Sequence, residues 1–128
     1  VNAVYQTEID SMARVTQLGG NLVNDGPTYF RVETKSGEVV YYGANSAGQS
    51  ARQAKVRPTG AAPGSTMAWL IDSRLDRAGN NVHYVYQDFG LGEVLLDEIR
   101  YTGTALNDGD RVVDLVYADR SDVSTSYT

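Results

Sequence analysis

The chain has one histidine, the side chain best suited to acid–base or metal chemistry near neutral pH. His83 lies between Val82 and Tyr84, in a run where apolar and polar residues alternate. A general base or metal ligand needs partners at a defined spacing, and no Asp, Glu or Ser pattern of that kind flanks His83. Alternation places it on the face opposite Val82 and Tyr84. We therefore expect a solvent-facing strand residue without a catalytic role.

The carboxylates offer two further candidate sites. Asp97 and Glu98 are neighbours in a predicted strand and point to opposite faces, so they cannot act together as an acid–base pair. Asn107–Asp110 is rich in oxygen ligands, but it lacks the distal Glu and the spacing of an EF-hand loop. A tight turn built on Asp and Gly is the favoured interpretation. We predict no metal and no cofactor, with Asp108 and Asp110 as the candidate ligands if Ca²⁺ binds.

A Ser-Thr-Ser stretch at Ser124–Ser126 matches one found in mono-ADP-ribosyltransferases. Those enzymes also need a strand Arg before the stretch and a Glu pair after it. The sequence ends at Thr128, which leaves no position for the Glu pair, so we interpret the match as chance. The glycine-rich loops precede strands rather than helices, so they do not indicate a phosphate-binding loop. We predict no catalytic residue and no enzymatic activity.

Tyrosine is the abundant aromatic residue, with nine copies. Tyr29, Tyr42 and Tyr101 are predicted to be exposed and could form a platform on which sugar rings stack. Strand tyrosines are also common as cross-strand partners, and they can pack against neighbouring modules. The second interpretation is favoured, and carbohydrate binding stays open as the alternative.

Composition limits the classes of partner. The 128 residues carry 16 acids and 11 bases, a net charge of -5, and no cysteine. An acidic chain is poorly suited to nucleic acid or to an anionic membrane surface, because both are bound mostly through Lys and Arg. No apolar run approaches the roughly 20 residues that span a bilayer, and Val1–Tyr5 lacks signal-peptide features. We expect no nucleic-acid partner, no membrane insertion, and a single domain (1–128) cut from a larger chain.

The elements that position these residues are short strands. Period-2 alternation predicts about eight, and the glycine-containing turns 35–37 and 76–80 join two pairs as hairpins. Short connections favour antiparallel neighbours. The predicted fold is all-β, a single mainly antiparallel domain that is either a sandwich or a curved open sheet. The expected apolar face comprises Phe30, Val32, Trp69, Ile71, Val82, Tyr84, Ile99 and Leu115. Leu75 is predicted to share the face of Trp69 and Ile71.

Residues 44–65 differ from the rest of the chain. They are small and polar, with the basic residues Arg52, Lys55 and Arg57 in a short central run. Val56 is the one large apolar side chain within the segment. We predict a surface excursion that adds little stability, whose basic run could dock on an acidic neighbour.

Many residues, in order along the chain, carry a family resemblance. They are Gly26–Val32, Thr34–Gly37, Tyr42–Gly43, Trp69–Ile71, Asp76, Gly79–Asn80, Tyr84–Tyr86, Glu98–Gly103, Val116–Tyr117, Arg120, Asp122 and Tyr127, with Thr7–Ser11 upstream. This order resembles the amino-terminal region of the Salmonella plasmid virulence protein B family. The same module occurs in the B component of insecticidal Tc toxin complexes and in Rhs/YD-repeat proteins. Segment 44–65 departs from the family in being richer in Gly, Ala and Pro.

The resemblance implies a role in architecture. In such toxins this region resembles part of a β shell that encloses a carboxy-terminal payload, or that joins the shell to a propeller. The family's ADP-ribosyltransferase activity belongs to a separate domain, so no catalytic residue carries over. The implied partners are neighbouring domains of the same chain and other toxin-complex subunits, and the implied location is secreted or on the bacterial surface. The alternative is a carbohydrate- or surface-binding module, assisted by Ca²⁺.

Overall fold

A computed structural model describes residues 3–5, 13–20, 26–60, 65–90, 92–119 and 121–122. The described residues form ten strands: β1 (Val4–Tyr5), β2 (Arg14–Leu18), β3 (Tyr29–Glu33), β4 (Val39–Tyr42), β5 (Lys55–Val56), β6 (Ala68–Trp69), β7 (Ile71–Leu75), β8 (Asn81–Gly90), β9 (Glu93–Gly103) and β10 (Arg111–Asp114). No helix occurs among the described residues, and none there could cross a membrane. Thr7–Ser11, residues 61–64 and Ser124–Ser126 lie outside the described part.

Eight strands form one antiparallel sheet in the order β1-β2-β3-β4-β7-β8-β9-β10. The order follows the sequence except where β5 and β6, between β4 and β7, pair with each other as a separate two-stranded sheet. This confirms the all-β, antiparallel prediction, and of the two predicted architectures the structure has the open single sheet. β1 and β10 are its two edge strands.

The two predicted glycine hairpins are present. Gly37 and Gly79 have φ of 82° and 89°, which is left-handed backbone that suits glycine. In the first turn the Thr34 amide donates to the Glu38 carbonyl at 2.9 Å, and in the second the Asp76 amide donates to the Asn80 carbonyl at 3.0 Å. These turns fix the β3–β4 and β7–β8 registers.

A β-bulge in β7 changes which residues share a face. Tyr42 pairs with Ile71 and Val39 pairs with Leu75, and the register shifts between Tyr41 and Tyr42. Tyr42 and Val39 are three residues apart and point to opposite faces, so their partners do too. The prediction that Leu75 shares the face of Ile71 is therefore wrong, because Asp72 is an extra residue that resets the alternation.

The apolar core is thin. Each of the eight residues expected on the apolar face is half-buried. The buried apolar side chains of the described residues are Val40, Ala44, Ala54 and Tyr86. The rings of Phe30 and Trp69 meet edge to face at 5.1 Å, and the indole N–H of Trp69 donates to the Pro27 carbonyl at 3.1 Å. A one-layer sheet has no second sheet to cover it, so loops and the β5–β6 pair provide what burial there is.

Several residues of the segment after β4, which was predicted to be a surface excursion, are buried. Ala44, Asn45, Arg52 and Ala54 are buried, whereas residues 57–60 are exposed as expected. Backbone hydrogen bonds hold this loop. The Tyr86 amide donates to the Arg52 carbonyl at 3.0 Å, and the Leu70 amide donates to the Ala54 carbonyl at 2.9 Å. Small side chains bury completely against a sheet when the backbone comes this close. The absence of large apolar groups therefore did not imply a loosely held excursion.

Candidate functional site

His83 is fully buried near the start of β8, so the prediction of a solvent-facing residue is wrong. Its Nε2 lies 3.0 Å from the carbonyl oxygen of Thr104, which can only accept, so Nε2 carries the proton. Burial and the charge of Arg52 lower the pKa of His83. The imidazole is therefore neutral at neutral pH, with a lone pair on Nδ1 that has no hydrogen-bond partner among the described residues.

Arg52 brings two acidic groups together from different parts of the sheet. Its Nη1 donates to Asp72 Oδ1 in β7 at 3.1 Å, and its Nη2 pairs with Asp108 in the β9–β10 loop. The Arg52 side chain is 10% exposed and that of Asp72 is fully buried. Arg52 thus joins the loop after β4, strand β7 and the loop before β10, so this one residue of the basic run has its acidic partners within this chain.

The two carboxylates respond oppositely to the same guanidinium. Burial raises the pKa of Asp72 to about 6, even though the charge and hydrogen bond of Arg52 oppose the rise. Burial acts to raise the pKa of Asp108 too, but the hydrogen bond and charge of Arg52, with the nearby His83 and Arg100, hold it below its usual value. The difference follows from exposure, because the Asp108 side chain is 32% exposed and stays partly hydrated.

Other buried polar side chains surround this group. Ser73 pairs with His83 across the β7–β8 ladder, and both side chains are fully buried. Asn81 is also buried. Gly109 lets the β9–β10 loop close over the strand, since a Cβ there would lie 1.6 Å from the carbonyl oxygen of Tyr101. We call Arg52, Asp72, Ser73, His83 and Asp108 the polar cluster.

The polar cluster has the residue types of hydrolytic chemistry but lacks access. A nucleophilic Ser must reach a substrate while it is hydrogen-bonded to its base. Ser73 Oγ and His83 Nδ1 are both buried, and neither has a hydrogen-bond partner among the described residues. An open depression of about 500 Å³ adjoins the cluster, lined by Arg52, Arg100 and Asp108 among others. Its charged groups are already paired with each other, which favours a role in holding the loops.

The two candidate metal ligands, Asp108 and Asp110, have different hydrogen-bond and ion-pair partners. Asp108 binds the guanidinium of Arg52 and lies 3.4 Å from Nη1 of Arg100. Asp110 accepts a hydrogen bond from Thr102 Oγ1 at 2.6 Å. Two positive groups stand where a cation would need to bind Asp108. Within the described ranges, no three His, Cys, Asp or Glu side chains converge on a metal position.

The three tyrosines do not form one platform. Phe30 pairs with Tyr42, so Tyr42 shares its face and Tyr29, one residue away, points to the other. Tyr101 lies in β9, three strands from Tyr42, a separation of about 14 Å at the usual strand spacing. Tyr29, Tyr42 and Tyr101, the candidates of the alternative carbohydrate interpretation, therefore lie on separate parts of the sheet, and Tyr29 packs near Gly48.

Sequence reasoning missed the polar cluster because it assigned inward and outward faces by apolarity alone. A signal was present: the polar residues Asp72 and Ser73 directly follow the apolar run Trp69–Ile71, and Asn81 and His83 alternate on the face opposite Val82. A strand in an open sheet can have both faces covered in places, and polar residues then become buried. The charged partner, Arg52, is distant in sequence from all of them.

Comparison with known proteins finds a similar fold in one solved structure. No family model and no curated protein sequence matches this chain. Its structure is similar to the solved N-terminal domain of effector protein SpvB from Salmonella typhimurium strain LT2, with a TM-score of 0.59 and 21% identity. The match covers 86% of this chain and 36% of that chain, so this chain spans about a third of that structure. At this identity the likeness concerns the fold.

Proposed function

We propose that this chain is a non-catalytic structural module of a secreted, toxin-like protein of the SpvB type, where its sheet forms part of a β shell or inter-domain scaffold. The observation that carries the proposal is the fold similarity to the SpvB N-terminal domain over 86% of the chain. That effector's domain is larger, which suggests that further polypeptide packs around a sheet of this kind.

The surface of the sheet supports the proposal. Large apolar side chains remain exposed near the β10 edge: Val112, Val113, Val116 and Tyr117, with Val116 93% exposed. A sheet edge offers unpaired backbone groups, and monomeric proteins usually cover or charge such edges. An apolar edge beside a thin core is expected of a module that packs against another part of a larger assembly.

The polar cluster fits the same role. Arg52, Asp72, Ser73 and His83 are buried, and the ion pairs of Arg52 hold two loops to the sheet. Among the described residues, Ser73 and His83 are both fully covered. The carbohydrate alternative relied on Tyr29, Tyr42 and Tyr101, which the sheet separates.

Hydrogen exchange tests the proposal. The 128-residue chain and the complete product of its gene would be compared amide by amide. We expect residues 111–117 to exchange more slowly in the complete product, because another element covers the edge. Identical exchange at the edge and on both faces of the sheet would contradict a scaffold role. Turnover of any substrate that is lost in Ser73→Ala or His83→Ala, with the fold retained, would contradict the non-catalytic part.

A further inference from the structure

A groove lined by both apolar and acidic side chains lies at one end of the sheet, away from the polar cluster. It has a volume of about 510 Å³. The last residues of β8, the first residues of β9 and the chain that follows β10 form it. Its apolar lining comes from Phe89, Leu95, Leu115 and Tyr117. Phe89 and Tyr117 are each 51% exposed, a large apolar area for side chains that no described element covers.

The wall after β10 is held in place. The Leu115 amide donates to the Asp97 carbonyl at 2.8 Å, and the Tyr117 hydroxyl donates to the Leu96 carbonyl at 2.6 Å. These bonds fix the chain beside β9 while half of the Tyr117 surface stays open. The groove is therefore preformed, which lowers the entropy cost of binding. It also lies at the sheet edge, where an extended chain can be accommodated.

Three carboxylates line the same groove: Glu93, Asp97 and Asp119. None of them forms an ion pair with a described residue. Elsewhere in the described chain, Glu33, Glu38 and Glu98 each pair with an arginine. The groove thus combines apolar surface with three carboxylates that no described residue pairs, in a protein whose net charge is already -5. An occupant with positive charge and an apolar side chain complements both properties.

We propose that this groove docks an extended basic segment of a partner polypeptide. An apolar side chain of the segment packs against Phe89 and Tyr117, and flanking Lys or Arg side chains face Glu93, Asp97 and Asp119. The inference rests on the proposed scaffold role and names the chemistry of the partner. A neutral sugar would use the aromatic rings but would leave the three carboxylates without counter-charge, so the charge favours the basic polypeptide.

A peptide pair tests this directly on the 128-residue chain. The probe is a fluorescein-labelled hexapeptide of sequence Lys-Val-Lys-Phe-Lys-Val, and its matched partner has Glu in place of each Lys. In anisotropy titrations at about 50 mM salt, we expect the lysine peptide to bind at least about tenfold more tightly than the glutamate peptide. Binding should weaken at about 500 mM salt, where screening shortens the reach of the charges.

Variants locate the site. Phe89→Ala and the double variant Glu93→Gln/Asp119→Asn should each weaken the lysine peptide by about tenfold. The matched controls are Leu106→Ala, an exposed apolar residue elsewhere, and Asp114→Asn, an exposed acid in β10. Both controls should bind as the parent does. All five altered side chains in the groove and control set are exposed, and the charge variant keeps the test valid if Phe89→Ala unfolds.

Several results would overturn the inference. Equal binding of the two peptides, or equal loss in the groove and control variants, would show non-specific adsorption. Binding of a neutral oligosaccharide that Phe89→Ala removes and the charge variant leaves unchanged would assign the groove to sugar. The scaffold role is judged separately, because slow exchange at residues 111–117 in the complete gene product would support it even if the groove bound no peptide.

Discussion

Replacing Asp72 by Asn removes half of an ion pair, and its effect on the free energy of unfolding should become more favourable as the pH rises from acid to neutral. Burial raises the pKa of Asp72 to about 6, from an ordinary value of 3.8, despite the neighbouring Arg52. A carboxyl with a raised pKa in the folded state takes up a proton more readily when folded. Its contribution to stability is therefore fully present below about pH 4 and is lost as the pH rises through about 6.

The magnitude follows from the difference between the two pKa values. A difference of about two pH units, at 1.36 kcal/mol per unit, gives about 3 kcal/mol between pH 4 and pH 7 or above. The Asp72 side chain is fully buried, so solvent screening takes little from this value. Asn is the uncharged isostere and can still accept the hydrogen bond from Arg52. The free energy of unfolding of the Asp72→Asn variant, relative to that of the parent, should therefore rise by up to about 3 kcal/mol as the pH rises from 4 to 7.

Urea unfolding at several pH values measures this gain. Asp108→Asn is the matched control, because the pKa of Asp108 is lowered and its contribution has the opposite pH dependence. Stability from Asp108 is present above its ordinary pKa and is lost as the pH falls through the folded value. Asp108→Asn should thus cost most near pH 7 and least in acid. If Asp72→Asn destabilises more at pH 7 than at pH 4, the attraction of Arg52 outweighs burial and the reasoning fails.

Three further predictions concern the loops around the sheet. Arg52→Met should destabilise by about 3–5 kcal/mol in urea unfolding, because it leaves buried Asp72 without its partner; a loss below 1 kcal/mol would show that the loop is held by its backbone bonds. Gly43→Ala should destabilise more than Gly79→Ala in thermal melting, since a Cβ at Gly43 (φ 85°) would lie 2.4 Å from the Trp69 ring, while Gly79 (φ 89°) faces open space; equal losses would mean that φ strain alone matters. Millimolar-scale Ca²⁺ should leave the melting temperature unchanged relative to chelator, because guanidinium groups occupy Asp108; a rise would restore the metal site.

The sequence allowed accurate prediction where structure is decided locally. The turns at Gly37 and Gly79 were predictable because a glycine between two alternating runs has few other uses. The antiparallel order followed from short connections. Local rules therefore sufficed for these hairpins and for the fold class, although the described residues contain ten strands where about eight were predicted.

Predictions failed where a non-local contact decided the outcome. Alternation through β7 was correct up to Asp72, where one bulged residue reversed the face of Leu75. His83 is buried because the loop containing Asn107 and Asp108 folds over it. The residues next to His83 in the sequence do not predict that loop. Arg52 was recognised as basic, but its partners Asp72 and Asp108 are 20 and 56 residues away. Side-chain pairing at that range depends on the assembled sheet.

The strand order also bears on how the chain folds while it is being synthesised. In the main sheet each strand pairs with the strand made just before it, so hairpins can form as they leave the ribosome. The exception is β7, whose partner β4 precedes residues 43–70. At about 5–20 residues per second, the edge of β4 stays unpaired for a few seconds until β7 emerges. During that interval Val39–Tyr42 is an open, apolar strand edge, and it is the place where a nascent chain of this kind is most exposed to pairing with the wrong partner.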